Sequence, residues 1–249
     1  MNVLNDKVLE TLKCPSCFLY MKGPIYVCLS GHSICRSCWM ANSCPVCKLA
    51  LTDTRNFSLE TVSTIVYYPC NNVESGCQQC LPIEEIDEHH LICDYRSYAC
   101  RLSKYCSWEG TRDELKKHYF AKHDNNILIG RECFSLWKQE KPDYTINMIM
   151  AFDEMFYVHV KRRNDINYWA VQYIGRSEDV ILFCFEVHIF TDQFNDRKLE
   201  FSEICHDDVK DDIDDIIDSG FCVAVPLNVL ETYTNMEGVV FYKIEIKRA

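Results

Sequence analysis

Sixteen cysteines and histidines between Cys14 and His123 fall into four groups of four, at spacings where thiolates and imidazoles bind metal. The first eight are Cys14, Cys17, Cys28, His32, Cys35, Cys38, Cys44 and Cys47, close pairs separated by gaps too short to enclose a core of their own. A CxxC pair suits zinc because one tight turn sets two thiolates about a tetrahedral edge apart, and a second pair from elsewhere in the chain completes the coordination. Eight ligands therefore hold two ions. The spacing lets either consecutive or alternating pairs share an ion, and a zinc knuckle of purely structural role is the bland alternative.

The third group is Cys70, Cys77, His89 and Cys93, and the fourth is Cys100, Cys106, His118 and His123. Eleven residues separate the second ligand from the third in both groups. One design is used twice: a cysteine-bearing hairpin, then a helix that delivers its last two ligands from successive turns. In the fourth group ELKKHYFAKH is that helix. His90 competes with His89, and His89 is preferred because it restores the repeated interval.

The elements that must hold these ligands sit in a chain of 249 residues, 48% apolar, with room for two or three small globular domains. Seventeen cysteines without a secretory signal argue for thiolate-metal chemistry in a reducing compartment rather than a disulfide framework. No stretch approaches the roughly 18 uninterrupted apolar residues of a membrane helix, so a soluble intracellular protein with no membrane partner is expected. The first 124 residues hold 13 basic and 14 acidic side chains, whereas the remainder holds 13 and 23. Neither half has the basic face that phosphate neutralisation demands. The fourth group could be a nucleic-acid-reading Cys2His2 finger, but five residues separate its cysteines and its helix opens Arg112, Asp113, Glu114. No nucleic-acid partner is expected.

From about Asn126 the pattern changes to alternation. FYVHVK puts Phe156, Val158 and Val160 on one face, and VVFYKIEIK does the same for Val240, Tyr242, Ile244 and Ile246. NYWAVQYIG and VILFCFEVHIF add two more strands, with the polar turns RRNDIN and GRSED between them, so about 120 residues read as an antiparallel β-sandwich. In the acidic insert HDDVKDDIDDIIDSG, Val209, Ile213, Ile216 and Ile217 recur at helical spacing and Gly220 can end the helix, which puts the aspartates on the solvated face. A calcium loop would need a glycine and a terminal glutamate that this insert lacks. Cys184 and Cys222 lie in apolar runs and read as small buried side chains. No paired nucleophile and base marks an active site of the chain's own.

Two close-packed metal sites, two Cys/His fingers and a sandwich, with the motifs CPSCF, SGHSIC, CPVCK and YYPCNNVESGC, together resemble the seven-in-absentia (SIAH) family of RING-type ubiquitin ligases. The resemblance implies small zinc-stabilised α+β modules, a RING plus two Cys/His zinc fingers, followed by an all-β TRAF-like antiparallel sandwich. The domains would be a RING over 1–60, a tandem finger region over 61–125 and the sandwich over 126–249. It implies alternating ligand pairs in the RING and four zinc ions per chain. It further implies a RING-type ubiquitin transferase that carries no covalent ubiquitin intermediate. The RING would dock a ubiquitin-conjugating enzyme through Phe18 and Pro45, with Lys48 placed as a cation that hydrogen-bonds ubiquitin. The sandwich would bind substrates or adaptors, direct them to proteasomal degradation and form a homodimer, in the cytoplasm and also the nucleus. Its peptide-binding edge would fall on TINMIM, at Thr145, Asn147 and Met148. A non-enzymatic zinc-binding adaptor of the same architecture is the alternative. The chain departs from the family pattern in three places. The gap between Cys38 and Cys44 and the first gap of the second finger are each one residue short, and Thr145 and Asn147 stand where larger apolar side chains are usual.

Overall fold

The computed structural model describes residues 3–40, 43–138, 143–191 and 197–249. The chain forms two compact units, Met1–Cys93 and Asp94–Ala249. The division falls inside the stretch expected to be a tandem finger region, so the first finger belongs to the RING unit and the second to the sandwich unit.

In the first unit helix α1 (Val3–Thr11) leads into a three-stranded sheet of β1 (Ile25–Cys28), β2 (Ser33–Cys35) and β3 (Leu51–Arg55), with the short helix α2 (Arg36–Trp39) after β2. The sheet order is β2-β1-β3. Helix α3 (Phe57–Ile65) starts at Asn56, whose side chain accepts the Leu59 amide at 3.0 Å. The first finger follows as a hairpin of β4 (Tyr67–Pro69) and β5 (Cys80–Pro82) and the helix α4 (Ile83–Ile92). The buried core of the sheet region is Met21, Ile25 and Ile34 with Cys14, Cys28 and Cys44, so half of it consists of candidate ligands. A core that small cannot offset chain entropy by apolar burial alone.

The second unit opens with the second finger: β6 (Tyr98–Ala99), β7 (Glu109–Gly110) and α5 (Arg112–Lys122). The sandwich follows with β8 (Ile127–Ile129), β9 (Glu132–Lys138), β10 (Tyr144–Ala151), β11 (Glu154–Arg163), β12 (Ile166–Ile174), β13 (Phe183–Phe190), β14 (Lys198–Ile204) and β15 (His206–Asp207). Helix α6 (Ile213–Ser219), β16 (Val223–Pro226), helix α7 (Leu227–Glu231) and β17 (Val239–Arg248) complete it. One sheet runs β15-β12-β11-β10-β8 with β16 also on β12, and the other runs β14-β13-β17-β9. Asn164 and Asp165 join β11 to β12 with φ of 52° and 59°, the left-handed pair of a two-residue hairpin turn.

The two sheets differ in how they are covered. β13 alternates buried and half-buried residues, as the pattern of VILFCFEVHIF requires for a sheet with one solvated face. β11 and β12 are buried almost continuously. Their inner face (Phe156, Val158, Val160, Trp169, Val171) meets Val240, Tyr242, Ile244 and Ile246 of the opposite sheet. Their outer face and that of β10 (Met148, Met150, Met155, Tyr157, Ile174) meet Tyr98, Leu102, Leu115 and Tyr119 of the second finger.

Three details differ from the sequence reading. The sandwich is mostly antiparallel, but β8 pairs with β10 and β15 with β12 in parallel. The acidic insert is helical only over Ile213–Ser219, which Gly220 ends with φ of 79°. Its Asp207 and Asp208 are buried rather than solvated, because β15 draws them against the sheet, where Asp207 accepts the Val209 and Lys210 amides and Asp208 meets Arg96. Cys222 is buried, whereas Cys184 is half-buried because it points to the outer face of β13. Among the described residues no helix is long and apolar enough to cross a membrane.

Candidate metal centres and peptide edge

All sixteen residues picked out by spacing converge as four quartets, with the ligand atoms of each within 4.8 Å of one another. The RING quartets are Cys14, Cys17, Cys35 and Cys38, and Cys28, His32, Cys44 and Cys47. Pairs alternate along the chain, which decides between the two arrangements the spacing allowed. A tetrahedron of Zn–S bonds of about 2.3 Å has edges of about 3.8 Å. Cys17 and Cys35 Sγ lie 3.8 Å apart, Cys28 and Cys47 Sγ 3.6 Å, and Cys70 and Cys93 Sγ 3.7 Å. These separations fit a metal between the sulfurs and are far too long for a disulfide.

The backbone prepares the donors. Cys14-Pro15-Ser16-Cys17-Phe18-Leu19 and Cys44-Pro45-Val46-Cys47-Lys48-Leu49 are one knuckle made twice. In the first, the Phe18 amide donates to the Cys14 carbonyl at 2.8 Å and the Cys14 amide to the Leu19 carbonyl at 2.9 Å. In the second, the Lys48 and Cys44 amides bond to the Cys44 and Leu49 carbonyls, both at 2.9 Å. The residue after each second cysteine is left-handed, φ 61° at Phe18 and 64° at Lys48. The turn aims amides at the sulfurs. Burial pushes the Cys14 thiol up, but the amides of Cys35, Cys17 and Ser16 outweigh it and bring it down to about 7. The Leu49 amide pulls Cys47 down to about 6. Burial, together with the neighbouring thiols, drives Cys35 and Cys70 the other way, to about 12. Four sulfurs this close cannot all ionise without a cation between them.

The two fingers repeat one geometry. Cys70 and Cys77 of the first hairpin meet His89 of α4 and Cys93, the residue that caps its C-terminus, with Cys77 Sγ 3.3 Å from His89 Nε2. His90, the sequence rival, accepts the Asn71 amide through Nε2 at 3.1 Å and stays outside the quartet. In the second finger Cys100 Sγ is 3.4 Å from His123 Nε2 and Cys106 Sγ 3.4 Å from His118 Nε2. The Trp108 ring stacks on His118 at 4.5 Å and orients it. The donor sets, two all-cysteine or cysteine-rich RING quartets and two finger quartets, are those of structural zinc, closed to a fifth ligand. The chain therefore has four zinc sites. A fifth cluster, Glu186, His188 and Glu245, already has ammonium groups beside it, with Lys247 2.7 Å from Glu186 and Lys243 3.0 Å from Glu245.

The knuckles also place the proposed docking residues. Phe18 is 74% exposed and does not pack inside the RING. Pro45 is half-buried, and Lys48 is exposed with Nζ 3.2 Å from the Pro45 carbonyl. The same two turns also leave Leu19, Val46 and Leu49 exposed, which the sequence reading did not single out, and nearby Trp39 stacks on Tyr26 at 4.7 Å and donates to the Thr52 carbonyl at 2.9 Å. The repeat CPxCxL was the available signal for the first three.

The expected peptide edge is only partly open. β8 covers β10 by pairing Ile127, Leu128 and Ile129 with Met148, Ile149 and Met150. Met148 is corrected accordingly: it is 0% exposed beneath the second finger and offers no edge. Among the described residues nothing pairs with the same side of Tyr144–Asn147. The Arg162 amide donates to the Asp143 carbonyl and the Gly130 amide to the Met150 carbonyl, so by alternation the backbone groups of Tyr144 and Ile146 face the open side. Thr145 and Asn147 point inward and line a cavity of about 400 Å³ with Trp137, Val160, Asn167 and Tyr242. Asn167 is 1% exposed and its Nδ2 has no hydrogen-bond partner among the described residues.

Comparison with known proteins agrees along the chain. Residues 14–47 match the family described as "E3 ubiquitin-protein ligase sina/sinah, RING finger", 61–137 match "Sina, zinc finger" and 149–245 match "Sina, TRAF-like domain". "E3 ubiquitin-protein ligase SIAH2" of Homo sapiens is 38% identical over 131 residues, 51% of this chain and 40% of that protein. "E3 ubiquitin-protein ligase siah2" of Xenopus laevis is 34% identical over 131 residues, 51% of this chain and 42% of that protein. "E3 ubiquitin-protein ligase sina" of Schistosoma mansoni is 26% identical over 231 residues, 89% of this chain and 61% of that protein. The chain thus spans 40–61% of the length of these relatives. Three successive Sina modules in order, over four zinc quartets and a TRAF-like sandwich, make the chain a member of the seven-in-absentia family.

Proposed function

We propose that this chain is a RING-type ubiquitin ligase that brings a ubiquitin-conjugating enzyme to substrates held by the sandwich. The observation that carries the reading is the doubled knuckle, which presents exposed Phe18 on one zinc loop and exposed Lys48 at the matching place on the other. The names of the relatives, each an E3 ubiquitin-protein ligase, agree with it. Zinc supplies a cross-link here and no chemistry. Phe18 and Pro45 offer apolar area to the conjugating enzyme, and Lys48 offers a cation to ubiquitin. A substrate lysine amine then attacks the thioester carbonyl of the bound conjugate, the C–S bond breaks and the enzyme thiolate leaves. The ligase contributes position rather than a nucleophile.

The same reading includes an extended peptide added to the open edge at Tyr144–Asn147, supported by backbone groups that pair with nothing among the described residues and by the cavity beside Thr145 and Asn147. It also includes homodimerisation through the sandwich, proteasomal destruction of the substrate, and a cytoplasmic and nuclear location. The test is ubiquitin discharge by the purified chain with a panel of conjugating enzymes, against Cys44→Ser as the unfolded-RING control. Phe18→Ala should abolish discharge with zinc content intact. Discharge that never exceeds the control would leave the adaptor reading in its place.

A further inference from the structure

The open stretch of β10 has a cavity on each face of its sheet. The inner one, beside Thr145 and Asn147, is described above. The outer one, of about 580 Å³, is walled by Arg101–Lys104 of the second finger, by Tyr144, His159 and Gln172 of the sheet, and by the loop Asp208–Ile213. Strand side chains alternate between faces, so a peptide added to this edge sends every second side chain to each cavity.

Charge distinguishes the outer cavity. Its acids are already engaged: Asp208 pairs with Arg96 at 2.8 Å, Asp211 accepts the Asp207 amide at 2.8 Å, and Asp212 accepts the Asp214 amide at 2.8 Å to cap α6. Its cations are not. Arg101, Lys104 and Lys210 form no ion pair among the described residues. Arg101 lies 5.6 Å over the Tyr157 ring and Lys104 5.0 Å over the Tyr105 ring, both exposed. At the floor His159 is 3% exposed. Its Nδ1 is 2.8 Å from the Tyr144 hydroxyl, while Nε2, with the Gln172 side chain near the ring, makes no hydrogen bond among the described residues. In the tautomer in which the Tyr144 hydroxyl donates to Nδ1, Nε2 carries the proton and is a buried donor with no hydrogen bond among the described residues.

Unpaired cations at the rim and an unmet donor at the floor fit an anion. The cleft opens on Tyr144 and Ile146, whose free backbone groups fit an extended chain rather than a small free ion. We propose that the outer cleft reads an anionic side chain, carboxylate or phosphoryl, on a peptide paired with the open edge of β10, with Arg101 and Lys104 setting that specificity. This rests on the edge reading above and extends it, because it makes the second zinc finger part of the substrate site.

The test uses the full chain and degenerate nonapeptide libraries whose central residue is fixed as Glu, phosphoserine, Gln or Lys, with binding followed by fluorescence anisotropy. The Glu or phosphoserine library should bind about tenfold more tightly than the Gln library, a difference of about 1.4 kcal/mol. Glu against phosphoserine decides the source of the anion. Arg101→Gln with Lys104→Gln should erase the preference while zinc content, thermal unfolding and affinity for the Gln library stay unchanged, and Lys104→Glu should turn it toward Lys. Equal binding of the Glu, phosphoserine and Gln libraries overturns this inference and leaves strand addition standing. Binding of no library overturns the edge reading and the inference together. A change in sedimentation of the chain alone on Arg101→Gln with Lys104→Gln assigns the cleft to a second copy and overturns the peptide assignment.

Discussion

The two fingers share an eleven-residue ligand interval but not a host. Behind the first, the buried cluster is Leu9, Leu12, Tyr68 and Ile86 with Cys70, Cys77 and Cys93, so three of its seven members are ligands. Behind the second, Tyr98, Leu102, Leu115 and Tyr119 pack on Met148, Met150, Met155, Tyr157 and Ile174 of a sheet, and Cys100 is the one buried ligand. The same zinc staple is obligatory in one setting and supplementary in the other. A structural zinc contributes on the order of 10 kcal/mol, comparable to the whole stability of a small domain. A strong chelator is therefore expected to unfold residues 1–93 while leaving amide exchange in β11, β12, β13 and β17 slow. Hydrogen exchange read by mass spectrometry checks it, and equal deprotection of both units would erase the distinction.

The ion pairs that tie each finger to its neighbour sharpen the contrast. In the first unit Lys22 of the RING meets Asp87 of α4, and both side chains are about half exposed. Pairs of this kind contribute about 0–1 kcal/mol. In the second unit Arg96 meets Asp208 with 9% and 5% of their side chains exposed, donates to the Gly175 carbonyl at 3.3 Å and covers the Tyr98 ring at 3.9 Å. Removing one partner of a buried pair costs about 3–5 kcal/mol, because the other charge is left unpaired. Arg96→Met should lower the urea midpoint of the sandwich unit accordingly, and Arg96→Met with Asp208→Leu should lower it less. Lys22→Met should be nearly silent.

Acid should act on the second unit through His159. Burial holds its imidazole down to about 4, against 6.5 ordinarily. The folded state then binds fewer protons than the unfolded state between these values, so stability is present above the unfolded value and falls with pH through that window. From pH 7 to about 5 the loss is about 2 kcal/mol. Thiolate protonation adds to any acid effect, so the informative quantity is the difference in slope between the native chain and His159→Gln, followed by urea unfolding. Parallel slopes would show that His159 carries none of it.

Much of this contrast was legible in the sequence, and the reason for the rest is physical. Zinc ligands are read by spacing because coordination geometry is local and strict, and period-two alternation found the inner face of β11 and β17. Alternation cannot report a strand buried on both faces, so nothing in TINMIM announced that the second finger would cover Met148. The acidic insert misled for a related reason. Its aspartates look solvated in sequence, and only the arrival of Arg96, 112 positions away, makes Asp208 a buried partner. The exposed Phe18 follows from a left-handed turn that the CPxCxL repeat encodes twice.

The smallest expected effect separates the two finger helices themselves. α5 begins with a complete capping box: Thr111 Oγ1 accepts the Glu114 amide at 3.4 Å and the Glu114 carboxylate accepts the Thr111 amide at 2.9 Å. That amide holds the Glu114 carboxyl below its ordinary range. α4 begins at Pro82, which makes no side-chain cap. A cap of this type contributes about 1 kcal/mol, so Thr111→Ala should lower the stability of the second unit by about that much. Pro82→Ser should raise that of the first unit by up to about 1 kcal/mol, since it supplies the missing acceptor for the α4 amides. Because the first unit depends on its metal, the gain should appear as a higher chelator concentration at half-unfolding rather than as a shift in the sandwich transition. A gain in the sandwich transition instead would mean that the fingers are not energetically separate, and the comparison between them would fail.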